Sequence, residues 1–342
     1  MGALGDTAMK IVMTLMVRDE ADIIDTLINF HLASGVDFIV ATDHDSADGT
    51  SEILERYAAG GVLHRLAVSS PVKRQAEWVT RMARMAATEF DADWVINSDA
   101  DEFWWPWGGS LKEVLAQIPE RYGVVHTFVR AFLPRPGDES WTERMTVRFM
   151  PHAPINSPVS PFRVNVRLLH RAVPDIVVGR GNASLPATSL APFPGRSAVE
   201  VLHFPVRCFD QFRQKFLTHY EASGSRLRGE HVRAHAAALQ GRLEDVYDEI
   251  CIDGTRLRRG LDDGSLIVDT RMRDAARALT VDPPSLGFPG RTPADEVGYA
   301  VDGAVLDAGE LVRLQRRVDI LRSRVAGRDH RRAGGSRLRT DR

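Results

Sequence analysis

Cysteine is almost absent from this chain. Cys208 and Cys251 are the only two in 342 residues, and they stand far apart. That excludes a disulfide framework and a cysteine-built zinc site, and both are expected to be free thiols. Long apolar runs are missing as well: no stretch approaches the roughly 18 uninterrupted apolar residues that a membrane span needs. Met1-Gly2-Ala3-Leu4-Gly5-Asp6 lacks the basic-then-apolar order of a secretory signal. A cytoplasmic location is therefore expected. No sign of charge dominates, with 44 Lys and Arg against 46 Asp and Glu, so a general affinity for nucleic acid is not expected. The apolar fraction of 44% and charged fraction of 26% are those of an ordinary globular protein.

The near-neutral total conceals an asymmetry. Gly309 to Arg342 carries 11 Arg against 4 Asp or Glu, so the preceding residues are net −9 within a total of −2. Leu311, Leu314, Val318, Leu321 and Val325 recur there at alternating steps of three and four, a short heptad seam. The expectation is an accessory tail that pairs with a second copy or lies against the inner face of a membrane.

Strand and helix patterns alternate through the first hundred residues, the mark of a sheet covered on both faces. Strands are expected at Ile11–Val17, Phe38–Thr42, Val62–Val68 and Trp94–Asn97, with helices at Asp22–Ser34, Ser51–Ala59 and Gln75–Thr88. Longer strands are expected at Val124–Leu133, Met145–Phe149 and Val164–Leu169, between Pro- and Gly-rich loops. From Phe209 the pattern turns helical, with Phe209, Phe212, Phe216 and Tyr220 as a core stripe and Val232–Ile250 as one amphipathic segment. The expected organisation is a catalytic domain over 1–207, a helical extension packed on it over 208–277, a linker over 278–308 and the basic tail over 309–342.

The chemistry concentrates in Trp94-Val95-Ile96-Asn97-Ser98-Asp99-Ala100-Asp101-Glu102-Phe103, an apolar run ending in three carboxylates within four positions. Strand ends at the carboxyl edge of an open α/β sheet are where such folds bind ligands. Carboxylates so close repel one another unless a cation or hydrogen-bond donors sit among them. A hard divalent ion, Mg²⁺ or Mn²⁺, is the natural candidate, because such ions take one or two protein oxygens when a diphosphate supplies others. Residues i and i+2 of a strand lie about 6.6 Å apart, so Asp99 and Asp101 grip one ion only if the chain curls.

Three ordered motifs carry a resemblance. Val17-Arg18-Asp19-Glu20-Ala21, Thr42-Asp43-His44-Asp45-Ser46-Ala47-Asp48-Gly49-Thr50 and Ser98-Asp99-Ala100-Asp101-Glu102-Phe103 together resemble the family 2 glycosyltransferases of GT-A fold. The likeness covers roughly residues 10 to 220. It implies a Rossmann-like mixed sheet with helices on both faces and a helical C-terminal extension. It also implies a metal-dependent, inverting transfer from a nucleotide-sugar donor to an acceptor hydroxyl. Glu20, Asp43 and Asp45 would then meet the base and ribose, and Lys73 and Arg74 the diphosphate. Asp99 would face the ribose or a metal-bound water, and Asp101 would bind Mn²⁺ or Mg²⁺ directly. Glu102 would orient a ligand or pair with an arginine. Val201-Leu202-His203-Phe204-Pro205 resembles the family's late His-containing strand, which makes His203 the third metal candidate beside Asp99 and Asp101. Relatives often carry Gly-Asn-His where this chain has Gly181-Asn182-Ala183, a departure on the acceptor side. The general base is expected at Asp138 or Glu139, with Asp175 as the weaker choice.

Other readings fit less of the pattern. A phosphatase of the haloacid dehalogenase type has its Asp-x-Asp on the first strand, not the fourth. A nucleotidyltransferase should show a Gly-rich basic loop after the first strand, where this chain has Val17-Arg18-Asp19-Glu20. An inactive GT-A scaffold or binding module is the alternative to an enzyme, and the intact central acids speak against it.

Overall fold

Strand β1 (Ile11–Val17) shows how the chain is organised. Its side chains alternate between two cores, with Ile11, Met13, Leu15 and Val17 in one and Val12 and Met16 in the other. A strand buried on both faces must lie mid-sheet under two helical layers. A computed structural model describes residues 9–150, 166–195, 197–215, 230–281, 286–292 and 295. Residues 1–150 and 165–292 form one unit, and the other, 151–164 with 293–342, is described only at Asp295. The heptad seam, Phe216 and Tyr220 lie outside the described residues.

The sheet is mixed and eight-stranded, in the order β3-β2-β1-β4-β8-β6-β9-β5. Strands β2 (Phe38–His44), β3 (Leu63–Val68) and β4 (Trp94–Asp99) join β1 in a parallel set. Then β8 (Val166–Arg171) runs antiparallel to β4 and to β6 (Val124–Ala131), while β9 (Val199–His203) lies parallel to β6. The edge strand is β5 (Glu102–Pro106), antiparallel to β9. One core lies under α1 (Ile24–Ala33), α2 (Thr50–Ala59) and α4 (Leu111–Ala116), the other under α3 (Gln75–Thr88). This is the α/β sheet with helices on both faces that the alternation foretold.

The differences have physical causes. Strand β5 went unrecognised because its five positions, Glu102 to Pro106, are all buried and so give no polar alternation. Expected strand Met145–Phe149 shortens to β7 (Val147–Phe149) behind a one-turn helix, α5 (Trp141–Arg144), and pairs with β10 (Leu266–Val268) in a separate ribbon. Beyond β9, a helix α6 is described over 209–215. The segment Val232–Ile250 is two helices, α7 (Glu230–Leu239) and α8 (Leu243–Ile250), broken where Gly241 takes φ +67°. Helix α9 (Gly254–Asp262) starts on an Asp253 cap, and α10 (Arg271–Val281) runs into the expected linker. Further along that linker, Phe288 packs edge-on against Phe30 and Trp105. Among the described residues no helix is long and apolar enough to cross a membrane.

Buried charge pairs tie β6, β9 and β7 to the α10 start. Glu200 meets Arg130 and Arg271, and Asp269 meets Arg148 and Arg271 at 2.7 Å each. Burial alone would raise the Glu200 carboxyl, but Arg130 and Arg271 outweigh it and hold it near about 2. A carboxyl depressed on folding stabilises the protein above its unfolded value, and that contribution fades as pH falls through the folded one. Glu200→Gln is therefore expected to cost about 3 kcal/mol at neutral pH. Urea titrations from pH 7 down to pH 2 should show the gap to the parent closing below the ordinary carboxylate range; a constant gap would rule out an ionic origin.

Candidate functional site

Three strands end together. Val17 of β1 stands opposite Asp43 of β2, and Met16 of β1 opposite Asp99 of β4. The acids named from sequence thus leave the sheet along one edge, beside one another. The loops after β1 and β2 are stitched together. Asp19 accepts from the Ala47 amide at 2.8 Å, Asp48 from the Ala21 amide at 2.9 Å, and the Ser46 hydroxyl from the Asp19 amide at 3.1 Å. Asp19 and Asp45 take φ +54° and +52°, a left-handed backbone that Asp tolerates better than most residues. Asp48 also accepts from the Thr50 amide and hydroxyl at the start of α2.

Asp43 is 2% exposed and points into a cage of its own. Its carboxylate accepts from the Ser46 amide, the Ser51 hydroxyl and the Arg65 guanidinium, the last at 2.7 Å. Burial would raise this carboxyl, but those hydrogen bonds hold it below its ordinary value. Asp45, by contrast, is exposed and accepts from the Ser70 amide.

The acidic motif itself curls between β4 and β5. Asp99 accepts from Gln75 and Asn182 at 3.2 Å each. Asp101 turns the other way: one oxygen is 3.3 Å from His203 Nε2 and the other 2.8 Å from Lys215 Nζ. Register explains His203, because β9 pairs it with Glu102 on β5 and Ala131 on β6. Burial opposes ionisation of Asp101, yet Lys215 and His203 outweigh it and hold the carboxyl well below the usual range. Glu102 is fully buried against Arg167 at 2.6 Å. Desolvation and the neighbouring Asp99 nonetheless push it up to about 7.

Glu20 joins the cluster through Arg207, which is 1% exposed and contacts Glu20 Oε2 at 2.5 Å and Asp22 at 2.6 Å. Lys73 is half-buried, and burial lowers its ammonium against the pull of Asp99 and Asp101. Arg74, its neighbour, is exposed and pairs with Glu77 instead. Asp138, Glu139 and Asp175 are exposed, and none has a described hydrogen bond or ion pair with the cluster. Sequence reasoning passed over Lys215, Arg207, Arg167 and Gln75, whose residue types alone carry no signal. Asn182 was noticed for the His missing after it. The residue itself is buried, sits at φ +55° and donates to Asp99, while its Oδ1 has no hydrogen-bond partner.

For a divalent ion the cluster offers Asp101 and His203 side by side. Among the described residues no three of His, Cys, Asp and Glu converge as a metal cage. A carboxylate with an imidazole fits an ion that draws its remaining ligands from water and a diphosphate. Asp99, held by two amides, stands aside from that pair.

Arg207→Met should take from Glu20 and Asp22 their direct ion-pair partner. A loss of about 2 to 3 kcal/mol in chemical denaturation is expected, since the guanidinium is buried while Asp22 is 42% exposed and can turn to water; a loss below about 1 kcal/mol would mean that Glu20 and Asp22 find other partners.

No protein-family model and no curated protein matches the chain. Among solved structures, it is similar to residues 1–349 of S. aureus TarS in complex with UDP, at a TM-score of 0.36 and 16% identity over 68% of this chain and 71% of that one. The same TarS fragment with UDP-GlcNAc gives 0.35 and 14% over 68% and 72%. Glucosyl-3-phosphoglycerate synthase from Mycobacterium tuberculosis, with Mg²⁺ and UDP, gives 0.25 and 22% over 35% and 44%.

Proposed function

We propose that this chain is a glycosyltransferase of GT-A type, related to family 2, that moves a sugar from a nucleotide-sugar to an acceptor hydroxyl. The observation that carries the reading is the shared edge where β1, β2 and β4 end, with Asp43 level with Val17 and Asp99 level with Met16. Such an edge suits a nucleoside, whose ribose and base need acceptors at strand ends. Glu20 and Asp99 are the acceptors assigned to them. Asp43, engaged by Arg65 and Ser51, shapes the pocket wall, and Asp45 offers an exposed carboxylate beside it. Lys73 supplies a cation toward the diphosphate.

Asp101 and His203 would hold Mg²⁺ or Mn²⁺, and the ion would offset the charge growing on the departing nucleoside diphosphate. The protein's own residues orient that site. Gln75 and Asn182 fix Asp99, and Arg167 fixes Glu102. For an inverting transfer the acceptor's proton goes to a carboxylate. Asp138 and Glu139 are the proposed bases, supported by their exposure on the loop that leaves β6 beside His203.

A thermal-shift panel of nucleoside diphosphates and their sugars, with and without Mn²⁺, tests the reading. One nucleotide is expected to stand out, since a ligand at a hundred times its Kd adds about 2.7 kcal/mol of stability. Asp101→Asn should remove the Mn²⁺-dependent part of the shift and leave the fold intact. A panel without any shift would sink the proposal.

A further inference from the structure

The cations around the acidic motif are not equivalent. Arg207 is 1% exposed and engages Asp22, Glu20 and the Phe204 carbonyl together. Arg167 clasps Glu102, itself fully buried. Both are planar guanidiniums, whose fixed fork geometry resists re-aiming. Lys215 is different. Its side chain is 26% exposed, and its ammonium sits 2.8 Å from Asp101 Oδ2 and 3.0 Å from the Pro205 carbonyl. An ammonium on a four-carbon stem turns among acceptors with little geometric demand.

Its position matters because of what surrounds it. Asp101 and Glu20 act on the Lys215 ammonium, and Lys73 also feels Asp99, Asp101 and Glu20. A diphosphate near Asp101 would bring more negative charge to an edge already crowded with carboxylates, and like charges at such range repel strongly. A cation must lie between them. Lys215 holds one oxygen of the carboxylate whose other oxygen faces His203, so its ammonium already neutralises the charge that a divalent ion on Asp101 would use.

We propose that Lys215 is a ligand of the donor's diphosphate, shared between Asp101 and the phosphate oxygens, and that it makes nucleotide and divalent ion bind cooperatively. The inference rests on the donor-site reading above. With Lys215 on Asp101, a metal ion alone binds weakly, because ammonium and ion compete for one carboxylate. A diphosphate takes up part of the ammonium's contact and opens the carboxylate to the ion. By linkage the ion then raises nucleotide affinity by the same factor.

Titration calorimetry of the full chain tests this, with UDP, GDP, ADP, CDP and dTDP in chelator, the same set in Mn²⁺, and Mn²⁺ alone. Lys215→Met is expected to weaken diphosphate binding in chelator roughly tenfold to hundredfold, the worth of a charge-assisted hydrogen bond. It should also tighten Mn²⁺ alone and abolish the cooperativity, while Lys215→Arg keeps most of the nucleotide affinity. If Lys215→Met fails to fold, Lys215→Gln replaces it. Nucleotide binding within about twofold of the parent, or Mn²⁺ binding no tighter, overturns the assignment of Lys215 while the donor site stands. A parent protein that binds none of the nucleotides, with or without Mn²⁺, overturns the donor site and this inference together.

Discussion

Carboxylates gathered on one sheet edge must be neutralised, and this requirement links the N-terminal half of the chain to the rest. Glu20, Asp22, Asp101 and Glu102 come from the first hundred or so residues, while Arg167 comes from β8, Arg207 from the connection after β9 and Lys215 from α6. Separate the two sets and the edge repels itself. Placed together, each buried acid has a partner, and the cluster holds one geometry.

The mixed half of the sheet is what delivers those cations. Strand β8 inserts beside β4 and carries Arg167. Strand β9 runs back between β6 and β5, and brings His203 level with Glu102. Behind the same strands, Glu200, Arg130, Arg271, Asp269 and Arg148 form a second charge cluster joining β6, β7 and β9 to α10. Arg271 also lies over the Trp107 ring at 4.5 Å. The two clusters grip opposite chain segments of one β9 strand, with Glu200 near its start and His203 at its end.

Much of this was legible beforehand in particular residues. Two-sided burial of β1, the Gln75–Thr88 helix and the acidic end of β4 follow from local pattern, because period and composition act over a few neighbouring positions. The helix expected from Ser51 is α2, and Asp48 and Thr50 tie its start with hydrogen bonds of their own. Strand β5 was illegible because a strand buried at every position carries no alternation. The break at Gly241 was passed over within an otherwise continuous helical pattern.

The sequence by itself determined where the carboxylates stand along the chain and that three strand ends carry them. It could not say which acids a solvent-borne ligand meets, because that depends on partners distant in the chain. Tertiary structure decided that Asp43 faces Arg65, that Asp99 faces Gln75 and Asn182, and that Asp101 faces His203 and Lys215. Lys73 and Arg74 are chain neighbours of like charge, yet Lys73 lies in the field of Asp99 and Asp101 while Arg74 pairs with Glu77 at the surface. The physical reason is range: backbone preference and hydrophobic period are local, whereas the field at a carboxylate is the sum over every charge that folding brings near it.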